Sequence, residues 1–463
     1  MKIVLILTKI KTMEALMRNL IILSTLFLIV SCSDDDAEEL GNSAPTASNI
    51  SILGNSKYGE AMTVSYAYAD TENNIEGESK MQWYRADDIE GTNKIKINEA
   101  TSATYTPRVA DIARYLLVEI TPIANAGTLQ GNLVTSLYTA EVTSEVRKAY
   151  SAKSSNKIVV GFYPSWKTSL LPIADIKWNN LTHVNYSFAI PENDGNLNVE
   201  DLSNTSYFVS TAHANGVKAF FSIGGGTGSE GFISLSANET LRKKFVEHVE
   251  EYAYLNNYDG IDIDWEGWTN LGTFDADETR GLFYLLKDLK NALARHNIKI
   301  SMDVFPTAWG GKHYTTEMFD YVDWVNIMAY DFEGGWSSAP ANHASLSNAN
   351  QALDYWGNIR GLPKNKTVLG VSFYGKDFTE PSNINDNTVI NRAYRDILAS
   401  NTAAHLSDNI GTIYYTGVQT IKDKVVIIAN NNDYLGAMIW EIAQDTPDET
   451  KSLLTMMDKV LNP

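Results

Sequence analysis

Tyr258-Asp259-Gly260-Ile261-Asp262-Ile263-Asp264-Trp265-Glu266-Gly267 alternates apolar and acidic residues from Ile261 to Glu266. Successive side chains on a strand point to opposite faces, so Asp262, Asp264 and Glu266 share one face and Ile261, Ile263 and Trp265 the other. The interleaved apolar residues require one face to be buried, which excludes an exposed acidic strand with no task. Three carboxylates at Cα steps of about 6.6 Å are costly in a packed interior. Like charges so close cannot all ionise freely; one or more pKa values should rise, and the group should titrate as a coupled set. A carboxyl raised toward neutral pH is what a general acid needs. A divalent cation neutralising the three is the other reading of the same pattern.

On both sides of this strand, residues 157–463 alternate short apolar strands with helical stretches such as Glu239–Asn256 and Glu278–His296, the pattern of a parallel α/β fold. Eight strands are expected, at Ile158–Tyr163, Leu181–Phe188, Val217–Ser222, Gly260–Trp265, Lys299–Phe305, Trp324–Tyr330, Thr367–Phe373 and Gly436–Trp440. Eight βα units over this length fit a (β/α)8 TIM barrel, with its active site at the C-terminal strand ends and the acidic face of the fourth strand on its axis. A doubly wound sheet is the alternative. Its nearest support, Gly224-Gly225-Gly226, lacks the GxGxxG spacing and a suitable acidic follower.

Residues 45–147 read as a small all-β, immunoglobulin-like sandwich, with alternation in Met62–Tyr68 and again from Tyr115 to Pro122. Trp83 is expected in its core, and Asp111-Ile112-Ala113-Arg114-Tyr115 resembles a tyrosine corner. Without clustered exposed aromatics, this domain reads as a spacer rather than a carbohydrate-binding module. Residues 148–156 are polar and aperiodic, and read as a linker.

Cys32 is the only cysteine, so neither an intrachain disulfide nor a cysteine-based zinc site is available. It ends residues 1–31, which read as a signal peptide: Lys9, Lys11 and Arg18, then the apolar run Leu20–Val30, too short to span a bilayer. Met17 opens a more compact version of this signal. Ile29-Val30-Ser31-Cys32 resembles the lipobox of bacterial lipoproteins, which implies lipidation of Cys32. Residues 32–44, with Ser33-Asp34-Asp35-Asp36-Ala37-Glu38-Glu39, resemble the acidic tether of outer-membrane lipoproteins facing the cell surface. The formal charge of -19 argues against nucleic acid and anionic lipid as partners and suits a neutral ligand. Membrane contact is expected through the lipid anchor alone, and the protein is expected to be a monomer.

Asp259-Gly260-Ile261-Asp262-Ile263-Asp264-Trp265-Glu266 resembles the DGxDxDxE signature of family 18 glycoside hydrolases, the chitinases and endo-β-N-acetylglucosaminidases. Four further stretches resemble that family in the right order: Ser222-Ile223-Gly224-Gly225, Met328-Ala329-Tyr330-Asp331 with Gly335-Trp336, Gly370–Gly375, and Met438-Ile439-Trp440-Glu441. The resemblance implies retaining, substrate-assisted cleavage of N-acetylglucosamine polymers such as chitin. It implies that Glu266 is the general acid, that Asp264 orients the acetamido group, that Asp262 pairs with Asp264 and shares a proton, and that Tyr330 donates to the acetamido oxygen. Asp331, Trp440, Phe162, Tyr374, Met328 and Trp336 are the expected substrate contacts, with Trp166, Trp268 and Trp309 as further candidates for subsites. No cofactor and no metal are expected. Between strands seven and eight, helices are expected at Thr388–Ala399 and Val418–Ala429, leaving little room for the wall domain many relatives insert there. That implies an open groove and endo cleavage. Action on N-glycan cores, or glycan capture without catalysis, are the competing readings.

Overall fold

The computed structural model describes residues 42–127, 129–431 and 433–463. The expected signal peptide, Cys32 and most of the tether lie outside them. Two compact units are formed. The smaller includes Ala67–Lys80 and Ile120–Val134; the larger comprises Asn49–Tyr66, Met81–Glu119 and Thr135–Pro463, and holds everything on which function is argued below.

Within the larger unit, eight apolar runs become the parallel strands of a closed barrel. They are Ile158–Pro164, His183–Pro191, Lys218–Gly224, Gly260–Asp264, Lys299–Val304, Trp324–Ile327, Thr367–Ser372 and Gly436–Trp440. They pair in sequence order, and the eighth closes on the first from Gly436↔Ile158 to Ile439↔Gly161. Nearly every residue in them is buried, because helices cover the outside of such a barrel and side chains fill its axis. Among the described residues no helix is long and apolar enough to cross a membrane.

The helices begin where the sequence offers caps. The Asn238 side chain accepts from the Thr240 and Leu241 amides to start Glu239–Leu255, and Asp275 accepts from Asp277 and Glu278 to start Ala276–Leu293. The second helix buries Leu282, Leu285, Leu286, Leu289 and Leu293, one apolar stripe at helical spacing.

Between strands seven and eight the structure departs from the expected pair of helices. Val418–Ala429 is helical, but Thr388–Ala399 divides. Val389–Ala393 is a strand pairing antiparallel with Tyr374–Phe378, and only Tyr394–Ser400 forms a helix. Asn409–Ile410 and Ile413–Tyr414 complete a four-stranded antiparallel sheet. The β-branched pair Val389-Ile390 favours the strand, and the turn before it is fastened by Thr388, whose hydroxyl donates to Asn383 O at 2.7 Å. A small insertion therefore stands where little room was expected.

The N-terminal domain contains a three-stranded and a four-stranded antiparallel sheet, as an immunoglobulin-like fold requires. Trp83 is fully buried, its indole donating to Ser102 O at 2.9 Å and its ring 5.4 Å from Tyr105. The tyrosine that fastens Asp111 is Tyr105, whose hydroxyl donates to Oδ2 at 2.6 Å; Tyr115, expected in that corner, starts its strand half-buried.

Strand four can enter the barrel only as glycine at its first position. A Cβ on Gly260 would stand 2.0 Å from Cε1 of Phe220, its partner in the parallel register. Phe220 is held by the rings of His183 at 5.6 Å and Trp324 at 5.1 Å, and cannot withdraw. Gly260→Ala should therefore lower stability by about 1–3 kcal/mol in urea unfolding, the usual cost of overpacking. An unchanged midpoint would show that the Phe220 layer yields.

Candidate active site

Strand four brings its carboxyls to the axis in a fixed order of depth. Asp262, the deepest, is fully buried and accepts three hydrogen bonds, each from a different strand. Ser222 Oγ on strand three donates to Oδ2 at 2.7 Å; Ser301 Oγ on strand five and Asn326 Nδ2 on strand six donate to Oδ1 at 2.5 and 3.2 Å. The register sets this up by placing Ser222 and Ser301 directly beside Asp262. Asp264, 3% exposed, follows one step higher and hydrogen-bonds Glu266, which is half-buried at the rim. The alternate face holds Ile261, Ile263 and Trp265 in the core, with Trp265 stacked on Phe232 at 5.1 Å and Trp268 at 4.7 Å.

The glycine-rich loop after strand three closes over this strand end. Gly224 and Gly225 adopt φ of +107° and +82°, and the Gly225 amide donates to Asp264 O at 2.8 Å. A Cβ on Gly224 would meet that same oxygen at 2.3 Å, so the approach depends on glycine. Ser229 adds its hydroxyl to Asp264 O at 3.0 Å and accepts from the Glu266 amide at 3.1 Å.

A fourth carboxyl, not picked out from the sequence, joins the group. Asp303 on strand five is 2% exposed and hydrogen-bonds Asp262. Hydrogen bonds join Asp262 with Asp303 and Asp264 with Glu266, and the charge of Asp262 also bears on Asp264. Desolvation dominates the electrostatics. Burial lifts Asp262, and its hydrogen-bond donors hold the rise to about 6. Burial, with the neighbouring carboxylates, raises Asp264 and Asp303 well above the ordinary range. Burial, with the charge of Asp331, brings Glu266 up to about 7.

Tyr330 is buried at the end of strand six, close enough to Asp303, Asp264 and Glu266 for their charges to raise its hydroxyl pKa further after burial. Asp331 turns outward with φ +59°. Its amide donates to His343 Nδ1 at 3.2 Å, and Lys376 Nζ lies 2.8 Å from its Oδ1. Burial alone would raise the Asp331 carboxyl, but His343 and Lys376 hold it well below the usual range. Lys376 comes from the inserted sheet and lies 5.7 Å from the Trp336 and Tyr374 ring centres.

A cavity of about 590 Å³ opens above, lined by Glu266, Met328, Tyr330 and Asp331 together with exposed Trp309 and Trp336. Across the carboxyls, half-buried Trp440 stacks on Phe188 at 5.7 Å, and exposed Trp166 lies 6.2 Å beyond Phe188. Three expected contacts differ. Phe162, 1% exposed, packs beneath Trp440 at 5.8 Å and offers almost no surface. Tyr374 is also buried, backing Tyr330 at 6.3 Å. Trp268 is core, stacked between Trp265 and His313. Among the described residues no group of three or more His, Cys, Asp or Glu is placed to hold a metal ion.

Acidic side chains at the C-terminal rim of a closed barrel, under a cleft walled by tryptophans, define a barrel glycoside hydrolase. Residues 158–445 match the model of the glycosyl hydrolases family 18, and the chain belongs to that family. Residues 46–138 match the AIR9 A9 domain. Among solved structures, the chain is 31% identical to a chitinase from Bacteroides thetaiotaomicron, with a TM-score of 0.58 over 66% of this chain and 96% of that one. It is 27% identical to the family 18 chitinase of the chitin utilization locus of Flavobacterium johnsoniae, also at 0.58, covering 66% of this chain and 94% of that one. A chitinase-like effector of Moniliophthora roreri is 32% identical over 248 residues, 49% of this chain. The chain spans only 61% of that relative and 59% of its Moniliophthora perniciosa counterpart.

The raised carboxyls give the site a pH signature. A folded-state pKa above the unfolded value of about 3.9 means that the folded protein holds protons the unfolded chain has released. The stability tied to them is present at low pH and lost as pH rises through the raised values, from about 4 past neutrality. Asp264→Asn removes one such group, and should be more stable than wild type by about 0.5–2 kcal/mol at pH 8, with the gain vanishing toward pH 4. Urea unfolding across that range checks this; a gain that does not depend on pH would show that Asp264 is not held protonated.

Proposed function

We propose that this chain is a chitinase-type glycosidase that cleaves β-1,4-linked N-acetylglucosamine polymers with retention, with Glu266 as general acid. The observation that carries this reading is the half-buried Glu266, raised to about 7, at the edge of a tryptophan-walled cleft. A carboxyl so placed is protonated in a useful fraction at neutral pH. Glu266 gives its proton to the glycosidic oxygen as the C1–O bond breaks. The acetamido oxygen of the same sugar attacks C1, forming an oxazolinium ion. Asp264 orients the acetamido N–H and offsets the positive charge, and Tyr330 donates its hydroxyl to the acetamido oxygen. Water then adds to C1 with Glu266 as base, so two displacements leave the anomeric configuration unchanged.

Trp309 and Trp336 on one side of the acid, and Trp440, Phe188 and Trp166 on the other, offer faces for sugar rings in both directions. Aromatic surface on both sides supports internal cleavage. Hydrolysis of a chitotetraose-type oligomer by the purified full-length protein, wild type beside Glu266→Gln, is the test. Wild type should cleave it, and the variant should lose at least about 100-fold in kcat, in line with general-acid contributions. An intact oligomer would refute chitin as substrate. Release of glycans from a denatured glycoprotein would then identify the N-glycan activity, and binding without cleavage would identify a capture protein.

We also propose that Cys32 is lipidated and that the protein faces outward from the outer membrane, a reading supported by the run Leu20–Cys32 and the acidic stretch after it. In a Gram-negative host, Cys32→Ala should move the protein from the membrane to the soluble fraction. Continued membrane retention of the variant would defeat this.

A further inference from the structure

The mechanism above draws on Glu266 and Asp264 and leaves the deeper pair, Asp262 and Asp303, without a task. Asp303, 2% exposed, stands opposite Asn326 in the register of strands five and six. It hydrogen-bonds Asp262 and also accepts from the Asn326 side chain that it shares with Asp262, while no N–H or hydroxyl donor reaches its buried Oδ1. A hydrogen bond between two carboxyls requires a proton on one of them. The donor set shows which. Asp262 already accepts from Ser222, Ser301 and Asn326, as suits an ionised carboxylate, which can only accept. Asp303 has only a share in Asn326, and its buried Oδ1 meets no N–H or hydroxyl donor, so a charge there would be costly and the neutral group costs less. Nothing nearby neutralises it otherwise. The titratable groups facing Asp303 are Asp262, Asp264 and Glu266, with Tyr314 and Tyr330. Among the described residues no lysine, arginine or histidine pairs with any of the four carboxyls.

We propose that Asp303 is a positioning acid: it stays protonated, donates its proton in a hydrogen bond to Asp262, and thereby keeps Asp262 ionised. Asp262 then has no call on the second proton of the cluster, which stays between Asp264 and Glu266, where the cleavage step uses it. Without the Asp303 donor, Asp262 would be stabilised less as an anion, its pKa would rise, and its nearest source of a proton would be Asp264. The consequence for turnover rests on the chitinase reading proposed above; the location of the proton does not.

Two variants of the full-length protein separate these roles. Asp303→Asn keeps the shape and an N–H donor toward Asp262 but has no carboxyl; Asp303→Leu removes the donor. In infrared spectra at neutral pH, the carbonyl band of protonated carboxyls should lose intensity in Asp303→Asn relative to wild type. In pH profiles of kcat/KM on the chitotetraose-type oligomer, Asp303→Asn should keep the wild-type acid limb. Asp303→Leu should move that limb up by about one pH unit, through kcat, with KM within about twofold. A merely structural role would lower activity equally at all pH values. An unchanged infrared band in Asp303→Asn, or the same limb shift in both variants, overturns the proposal. Should Asp303→Leu fail to fold, the band and profile of Asp303→Asn still decide it. Should wild type leave the oligomer intact, the activity reading fails, and the band alone decides where the proton lies.

Discussion

Four carboxyl groups lie on and above the axis of one closed barrel, and among the described residues no cationic side chain pairs with any of them. Ionising all four there would cost far more than a domain's net stability of about 5–15 kcal/mol. The cluster can exist only if protons and neutral donors take the place of counter-ions. Ser222, Ser301 and Asn326 supply donors to the deepest carboxyl, and the remaining groups are pushed toward protonation. Asp331, just past the end of strand six, illustrates the opposite environment. Lys376 and His343 hold it ionised, and its charge in turn raises Glu266. Carboxyls of one chemical type are thus driven apart in pKa by their neighbours, which is how a single fold provides both a proton donor and fixed negative charge at neutral pH.

Placing that cluster makes demands on the backbone around it. Gly260 admits strand four beside Phe220, and Gly224 and Gly225 let the third loop fold over the carbonyl of Asp264. The alternate face of strand four anchors the arrangement from outside, where Trp265 is locked between Phe232 and Trp268. The same two-residue period therefore buries three apolar side chains and aims three acids inward. A shift by one residue would exchange the two faces.

Much of this was legible in the sequence. All eight barrel strands, the acidic face of the fourth and the burial of Trp83 follow from periodicity and composition, because long apolar alternations leave few other folds. Asp303 was legible too, in principle: Ser301, Asp303 and Phe305 share a face by the alternation that was applied only to strand four. What periodicity could not supply was depth. Phe162, Tyr374 and Trp268 lie close to strand ends, yet a ring at such a place can line a cleft or sit beneath its lining, and only packing separates the two. The inserted sheet was missed because Thr388–Ala399 contains both a strand and a helix, and a boundary inside a twelve-residue window leaves no clean period.

That insertion ties the shape of the groove to its chemistry. Tyr374 and Lys376 belong to its first strand, and Lys376 reaches Asp331 while lying across the Trp336 ring. The inserted sheet therefore holds in place a charge that, with burial, raises Glu266. A displacement of this sheet would loosen the grip on Asp331, whose charge adds to burial in raising Glu266. The inserted sheet thus acts on Glu266 through one lysine and one aspartate, although it contributes no carboxyl to the axial cluster.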